Sequence, residues 1–220
     1  MKRNIIKLFI GVFVLVIVLM SLDVKTQAAS KKWKKACNKY KTFLAHNESK
    51  FEAMEGDYET SNKENYKKSS YFLIDDLNAD GVPELITLHT EAYKTDYLYI
   101  YTYKKGKVKS LKDSEGNIAT IDISCSAAGY YTVSVCKKNH LHADWSGGDL
   151  GYNYSAYVMK KGKLKMYLNY IQDDLYDFTV ITKYGKNINE KAYNKLISKC
   201  GRNYKFLNKN TSLNRTKYCK

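Results

Sequence analysis

Ser70-Tyr71-Phe72-Leu73-Ile74-Asp75-Asp76-Leu77-Asn78-Ala79-Asp80-Gly81-Val82-Pro83-Glu84-Leu85-Ile86-Thr87-Leu88 is the stretch that decides how this chain folds. Both of its ends are apolar and rich in β-formers, while the centre is polar and carries the glycine. The reading is strand, loop, strand. Within the loop, oxygen-bearing side chains stand at positions 1, 3, 5 and 9: Asp76, Asn78, Asp80 and Glu84. The backbone carbonyl of Val82 stands at position 7, and Gly81 at position 6 permits a sharp turn. Calcium is a hard cation that takes six to eight oxygens, and such a loop can wrap it. A helix–loop–helix calcium site would need a glutamate at position 12, which here is Thr87. The alternative is an Asx-rich turn without metal.

These residues resemble the D-x-[DN]-x-D-G-x-x-E-L segments of FG-GAP/VCBS-type repeats. They are similar as well to small secreted bacterial proteins in which one such loop precedes a Tyr-rich hairpin. The resemblance spans residues 70–111 and implies that Asp76, Asn78, Asp80 and Glu84 hold calcium as a cofactor. Full propellers of that kind carry many copies of the loop and this chain carries one, so a propeller is not the expected architecture.

Working outward, Asp96 to Tyr103 alternates with period two, with Tyr97, Tyr99, Tyr101 and Tyr103 on one face and Leu98, Ile100 and Thr102 on the other. Lys104-Lys105-Gly106-Lys107 then reads as a hairpin turn. The pattern recurs 56 residues later, where Tyr154 to Met159 runs into Lys160-Lys161-Gly162-Lys163. Two similar hairpins in one antiparallel sheet are expected. Further strands are expected at 117–124, 130–137 and 176–184, and a polar surface loop over 47–69.

Helices are expected at both ends. Trp33, Ala36, Cys37, Tyr40, Phe43 and Leu44 fall on one stripe at helical spacing, with lysines on the other face. Near the C-terminus, Asn189 to Cys200 places apolar residues at 192, 193, 196, 197 and 200, and Gly201 is a suitable stop. The expected class is α+β: an antiparallel, Tyr-rich sheet flanked by N- and C-terminal helices.

Residues 1–29 read as a secretory signal. Lys2, Arg3 and Lys7 are followed by an apolar run from Leu8 to Leu22, and then by small residues around Ala28 and Ala29. That run is shorter than the ~20 residues of a spanning helix. The expectation is a single secreted domain over 30–220, located outside the cell or on its surface. The full chain has 37 basic and 22 acidic residues, a net charge of +15. Without the four basic residues and one acidic residue of 1–29, 33 and 21 remain, for +12. That balance favours an anionic polymer, a glycan or a protein of the cell surface as partner. Nucleic acid is disfavoured, because Arg is confined to Arg3, Arg202 and Arg215 and the lysines are scattered. Membrane contact would fall to an uncleaved signal or to the basic helix at 31–46.

The five cysteines are Cys37, Cys125, Cys136, Cys200 and Cys219. Export allows disulfides, with Cys125, Cys136, Cys200 and Cys219 as candidates and the pairing open. No C-x-x-C pair occurs, which speaks against a structural zinc site. His140, His142 and Asp144 alternate, so on a strand they share a face and can ligate a metal. No nucleophile elbow, phosphate loop or dinucleotide fingerprint is present. The resulting expectation is a secreted, calcium-stabilised binding module that contacts anionic or glycan surfaces. The alternative is a metal-dependent hydrolase centred on His140, His142 and Asp144.

Overall fold

A computed structural model describes residues 31–47, 52–55, 67–91, 95–113, 115–123, 130–136, 139–146, 151–200 and 205–220. The expected signal at 1–29, most of the expected loop at 47–69, and Cys125 lie outside these. The protein is α+β, built from two antiparallel sheets with helices at the N- and C-terminal ends. Helix α1 covers residues 31–46. Strands β1 (Glu52–Glu55), β2 (Lys67–Asp75), β3 (Glu84–Glu91), β4 (Thr95–Lys104) and β5 (Lys107–Ser110) follow one another across the first sheet. Strand β6 (Thr120–Asp122) pairs with β4 beyond the end of β5.

The second sheet is a meander of β7 (Tyr130–Val135), β8 (Leu141–Ser146), β9 (Tyr152–Lys160), β10 (Lys163–Asp173), β11 (Phe178–Lys183) and β12 (Lys186–Asn187). The two Lys-Gly hairpins therefore fall in different sheets, not one. Helix α2 (Glu190–Ser198) comes next, capped by Asn189, whose side chain accepts from the N–H of Ala192. Two short strands precede the final helix α3 (Ser212–Tyr218): β13 (Lys205–Phe206) pairs with β7, and β14 (Asn208–Lys209) pairs with β2. Five consecutive residues thus bind one edge of each sheet.

Alternation along the strands sorts side chains into three apolar layers. The inner faces of both sheets share one core, with Leu73, Ile86, Leu88, Leu98 and Ile100 from the first sheet and Val133, Val135, Leu141 and Leu164 from the second. On the outer face of the first sheet, Phe72, Ile74 and Leu85 meet Ala36, Cys37, Tyr40 and Leu44 of α1, and Cys219 joins them from the chain end. On the outer face of the second sheet, Tyr154, Ala156 and Leu168 meet Tyr193, Leu196 and Ile197 of α2. A bulge between Met166 and Leu168 explains how Leu164 points inward while Leu168, an even number of residues on, points outward.

The expected tyrosine face of β4 is present: Leu98 and Ile100 are buried inward, while Tyr101 and Tyr103 pack toward α1. Both Lys-Gly turns have positive φ at the two central residues, Lys105 and Gly106 in one and Lys161 and Gly162 in the other. This is the left-handed pair that two-residue hairpins require. A third copy of the device, Tyr184-Gly185, joins β11 to β12. Among the described residues no helix is long and apolar enough to cross a membrane.

Candidate metal centres

The 76–84 loop connects β2 to β3, whose last and first residues, Asp75 and Glu84, are partners in register. Its side chains fold back onto its own amides. Asp76 Oδ1 accepts from the N–H of Asn78 (3.3 Å) and of Asp80 (3.2 Å), and its Oδ2 from Gly81 (2.8 Å). Asn78 Oδ1 accepts from Asp80 N–H, and Asp80 Oδ1 from Val82 N–H, both at 2.8 Å. Ala79 and Gly81 take positive φ, at 59° and 80°, which bends the loop tightly. Leu77 is buried in the inner core, and Val82 packs in the α1 layer. Both ends of the loop are thereby fixed.

Glu84 forms the floor. It is only 1% exposed. Its Oε2 accepts from Leu77 N–H at 2.9 Å, and its Oε1 from Thr102 Oγ1 at 3.4 Å. Burial pushes its pKa up to about 8, and repulsion from Asp80 and Asp76 adds to the effect against the pull of the Leu77 N–H. The donor chemistry is all oxygen, with three carboxylates in one short loop and one of them desolvated. That fits a hard divalent cation, which would compensate the buried charge.

A second cluster gathers on the outer face of the second sheet. Cys136 follows β7. A tight reversal, in which Cys136 N–H donates to the His140 carbonyl (3.1 Å) and Asn139 N–H to the Cys136 carbonyl (2.8 Å), brings the chain back into β8. His142 lies in register between Ser134 and Ala156. Cys200 arrives from the far end of α2, where its N–H donates to the Ile197 carbonyl at 2.9 Å. The ligand atoms of Cys136, His140, His142 and Cys200 all lie within 4.8 Å of one another. Cys200 Sγ is 3.6 Å from His140 Nδ1 and 3.5 Å from His142 Nε2. Tyr154 Oη sits 2.5 Å from the other ring nitrogen of His142. The Tyr167 ring tilts against His140, with centroids 4.9 Å apart. Cys136, His142 and Cys200 are buried, and His140 is half-buried.

Asp144 shares the face of His142 and feels its charge, but its carboxylate is not among the four clustered ligand atoms. Its Oδ1 accepts from Tyr152 Oη at 3.3 Å, and burial raises its pKa while the His142 charge and that hydrogen bond oppose the rise. The two histidines expected to act with Asp144 therefore converge on two cysteines. The sequence carried part of this signal in C-x-x-x-H-x-H, residues 136–142. It was hidden because the fourth group, Cys200, lies 58 residues beyond His142. Cys37 and Cys219 meet in the α1 layer, away from this cluster. The acids Asp173 and Asp174 serve the β10–β11 turn, accepting from Tyr176 N–H (3.0 Å) and Gln172 Nε2 (2.8 Å).

No family model matches this chain, and neither a curated protein nor a solved structure matches it.

Proposed function

We propose that this is an exported, calcium-stabilised binding module, in which Asp76, Asn78, Asp80, Glu84 and the carbonyl of Val82 hold one calcium ion and the basic surface contacts anionic or glycan material outside the cell. The observation that carries the reading is the burial of Glu84 at the end of the loop, a desolvated acid whose ionised form is repelled by Asp80 and Asp76. A cation relieves both the desolvation and the repulsion, and without one the folded protein favours the protonated Glu84 up to about pH 8. The ion joins β2 to β3 at the start of the first sheet, so its role is to hold the fold. The contact surface is supported by lysines at the exposed hairpin tips, Lys104, Lys105 and Lys107 in one and Lys160, Lys161 and Lys163 in the other.

The test is a thermal melt of the chelator-treated protein after adding back calcium alone. Extracellular modules bind calcium at about 10⁻⁴–10⁻³ M. Calcium at 100 times its dissociation constant adds about 2.7 kcal/mol, a rise of roughly 5–10 °C for a chain of this size. Asp80→Ala should abolish the rise. An unchanged melting temperature in wild-type protein would sink the calcium reading. Binding of the calcium-loaded protein to an anionic polymer should weaken as salt rises, and salt-independent binding would remove the electrostatic part.

A further inference from the structure

We infer that Cys136, His140, His142 and Cys200 form a closed, structural zinc site that fastens the β7–β8 hairpin to the end of α2. Zinc binds thiolate sulfur at about 2.3 Å and imidazole nitrogen at about 2.0–2.1 Å; at the tetrahedral angle, sulfur and nitrogen then stand about 3.5–3.6 Å apart. Cys200 Sγ stands 3.5 Å from His142 Nε2 and 3.6 Å from His140 Nδ1. Cys136 completes the set, with every ligand atom within 4.8 Å of the others. Two thiolates and two neutral imidazoles balance Zn²⁺, so the loaded site is neutral, as suits a site with three buried members. Loading exchanges the two thiol protons of Cys136 and Cys200 for one zinc ion.

The surroundings fit the same ion. His142 presents Nε2 to the cluster and keeps Nδ1 against Tyr154 Oη, the outer hydrogen bond that fixes the ring of a metal-bound histidine. Four protein donors leave no open coordination position, which separates this site from a hydrolytic one, where three donors leave room for water. The fold has a use for such a fastener. Helix α2 is nine residues long and has no fully buried residue, and helices that short are marginal without tertiary support. Its far end is where Cys200 reaches the sheet. The site is thus independent of the calcium loop, which lies between β2 and β3 in the other sheet.

The competing chemistry is a Cys136–Cys200 disulfide, and the experiment separates the two. The full chain, purified with and without reductant, is loaded with zinc and measured by elemental analysis, and its cysteine peptides are mapped. The expected result is one zinc per chain, with Cys136 and Cys200 recovered as thiols in both preparations. Cys200→Ser and His142→Ala should each lose stoichiometric zinc, and Asp144→Asn should retain it. Cobalt loading of the wild-type protein should give the intense visible bands of a tetrahedral site with a thiolate charge-transfer band. This readout decides the matter even where a ligand variant fails to fold. A Cys136–Cys200 disulfide in protein isolated without reductant, a weak octahedral cobalt spectrum, or no zinc in the reduced protein would each overturn the inference.

Discussion

Tyr40 Oη donates to the Pro83 carbonyl at 2.7 Å, so a residue of the first helix holds the exit of the 76–84 loop. Both partners are buried. Burial, then the neighbouring Glu84 and Cys37, raise the Tyr40 pKa far above its ordinary value, so the hydroxyl keeps the proton it donates. In Tyr40→Phe the buried carbonyl loses this donor, at a cost of about 1–3 kcal/mol. The melting temperature should fall by roughly 2–12 °C. Calcium affinity, followed by titration against the melt, should weaken in the same variant, because Pro83 directly precedes Glu84. An unaltered melt would show that α1 does not brace the loop.

Glu84 gives the pH dependence its sign. Its pKa in the folded, metal-free protein is raised from 4.5 to about 8. The protonated carboxyl is therefore favoured by folding. That contribution is fully present below about pH 4.5 and is lost as the pH rises through 8. Metal-free protein should lose stability steadily from pH 5 to pH 8, and the stabilisation by calcium should grow over the same interval as binding displaces the proton. Glu84→Gln should melt higher than the wild type at pH 8 without metal, yet gain nothing from calcium. Chemical denaturation at four pH values, with and without calcium, checks both statements.

Tyr154 should act as a positioning residue for the cysteine–histidine cluster. Tyr154→Phe removes the hydroxyl beside His142 Nδ1 while keeping the ring in its aromatic layer. Loss of such an outer hydrogen bond typically costs 10–100-fold in metal affinity. Competition with a coloured zinc chelator measures it, with Tyr170→Phe as the control from the same layer. Equal affinities in the two variants would assign Tyr154 a packing role alone.

Gly151 is held by its neighbours. A Cβ there would lie 2.2 Å from the Gln172 carbonyl oxygen, and its φ of +119° is one that side-chain-bearing residues rarely adopt. Gly151→Ala should cost more than about 2 kcal/mol, read as a lowered denaturation midpoint. Gly116→Ala is a fair comparison: its φ is positive too, but nothing lies within 4 Å of its Cβ position, so it should cost less.

Cys37 and Cys219 should resist thiol reagents in the reduced, folded protein. Burial pushes both pKa values up, to about 12 for Cys37, where the neighbouring Cys219 adds to the rise, and to about 11 for Cys219, where Lys41 and Arg215 oppose it. Thiolate is the reactive form, and little of it is present at pH 8. Peptide mapping after a short alkylation should find both unlabelled until denaturant is added. Rapid native labelling of Cys37 would mean that α1 opens readily from the sheet.

Local patterns carried most of this architecture. The polar loop between two apolar runs, the tyrosine alternation of β4 and the paired Lys-Gly turns each rest on interactions within a dozen residues, where periodicity and turn chemistry speak directly. The same holds for α1, whose stripe from Trp33 to Leu44 packs as its spacing implies. What escaped has a common cause. β12, β13 and β14 are two residues each and exist only because a strand edge waits beside them. The division into two sheets depends on which edges meet, and no local window contains that. The cysteine–histidine cluster was half visible in Cys136, His140 and His142. It contains no C-x-x-C pair, and Cys200 is brought in only by the docking of α2. The third hairpin turn, Tyr184-Gly185, was open to reading by the same rule as the other two.

The segment from Lys205 to Lys209 has a consequence for how the molecule comes into being. Its halves complete the exposed borders of both sheets, pairing with β7 and with β2, which lie far back in the chain. Neither border can close until residues 205–209 have been made, and the contacts that close it span long loops, which slows assembly. A nascent or C-terminally truncated chain therefore carries two unprotected strand edges at once, each a template for joining another copy. Docking of Lys205–Lys209 is the step that shields both edges together.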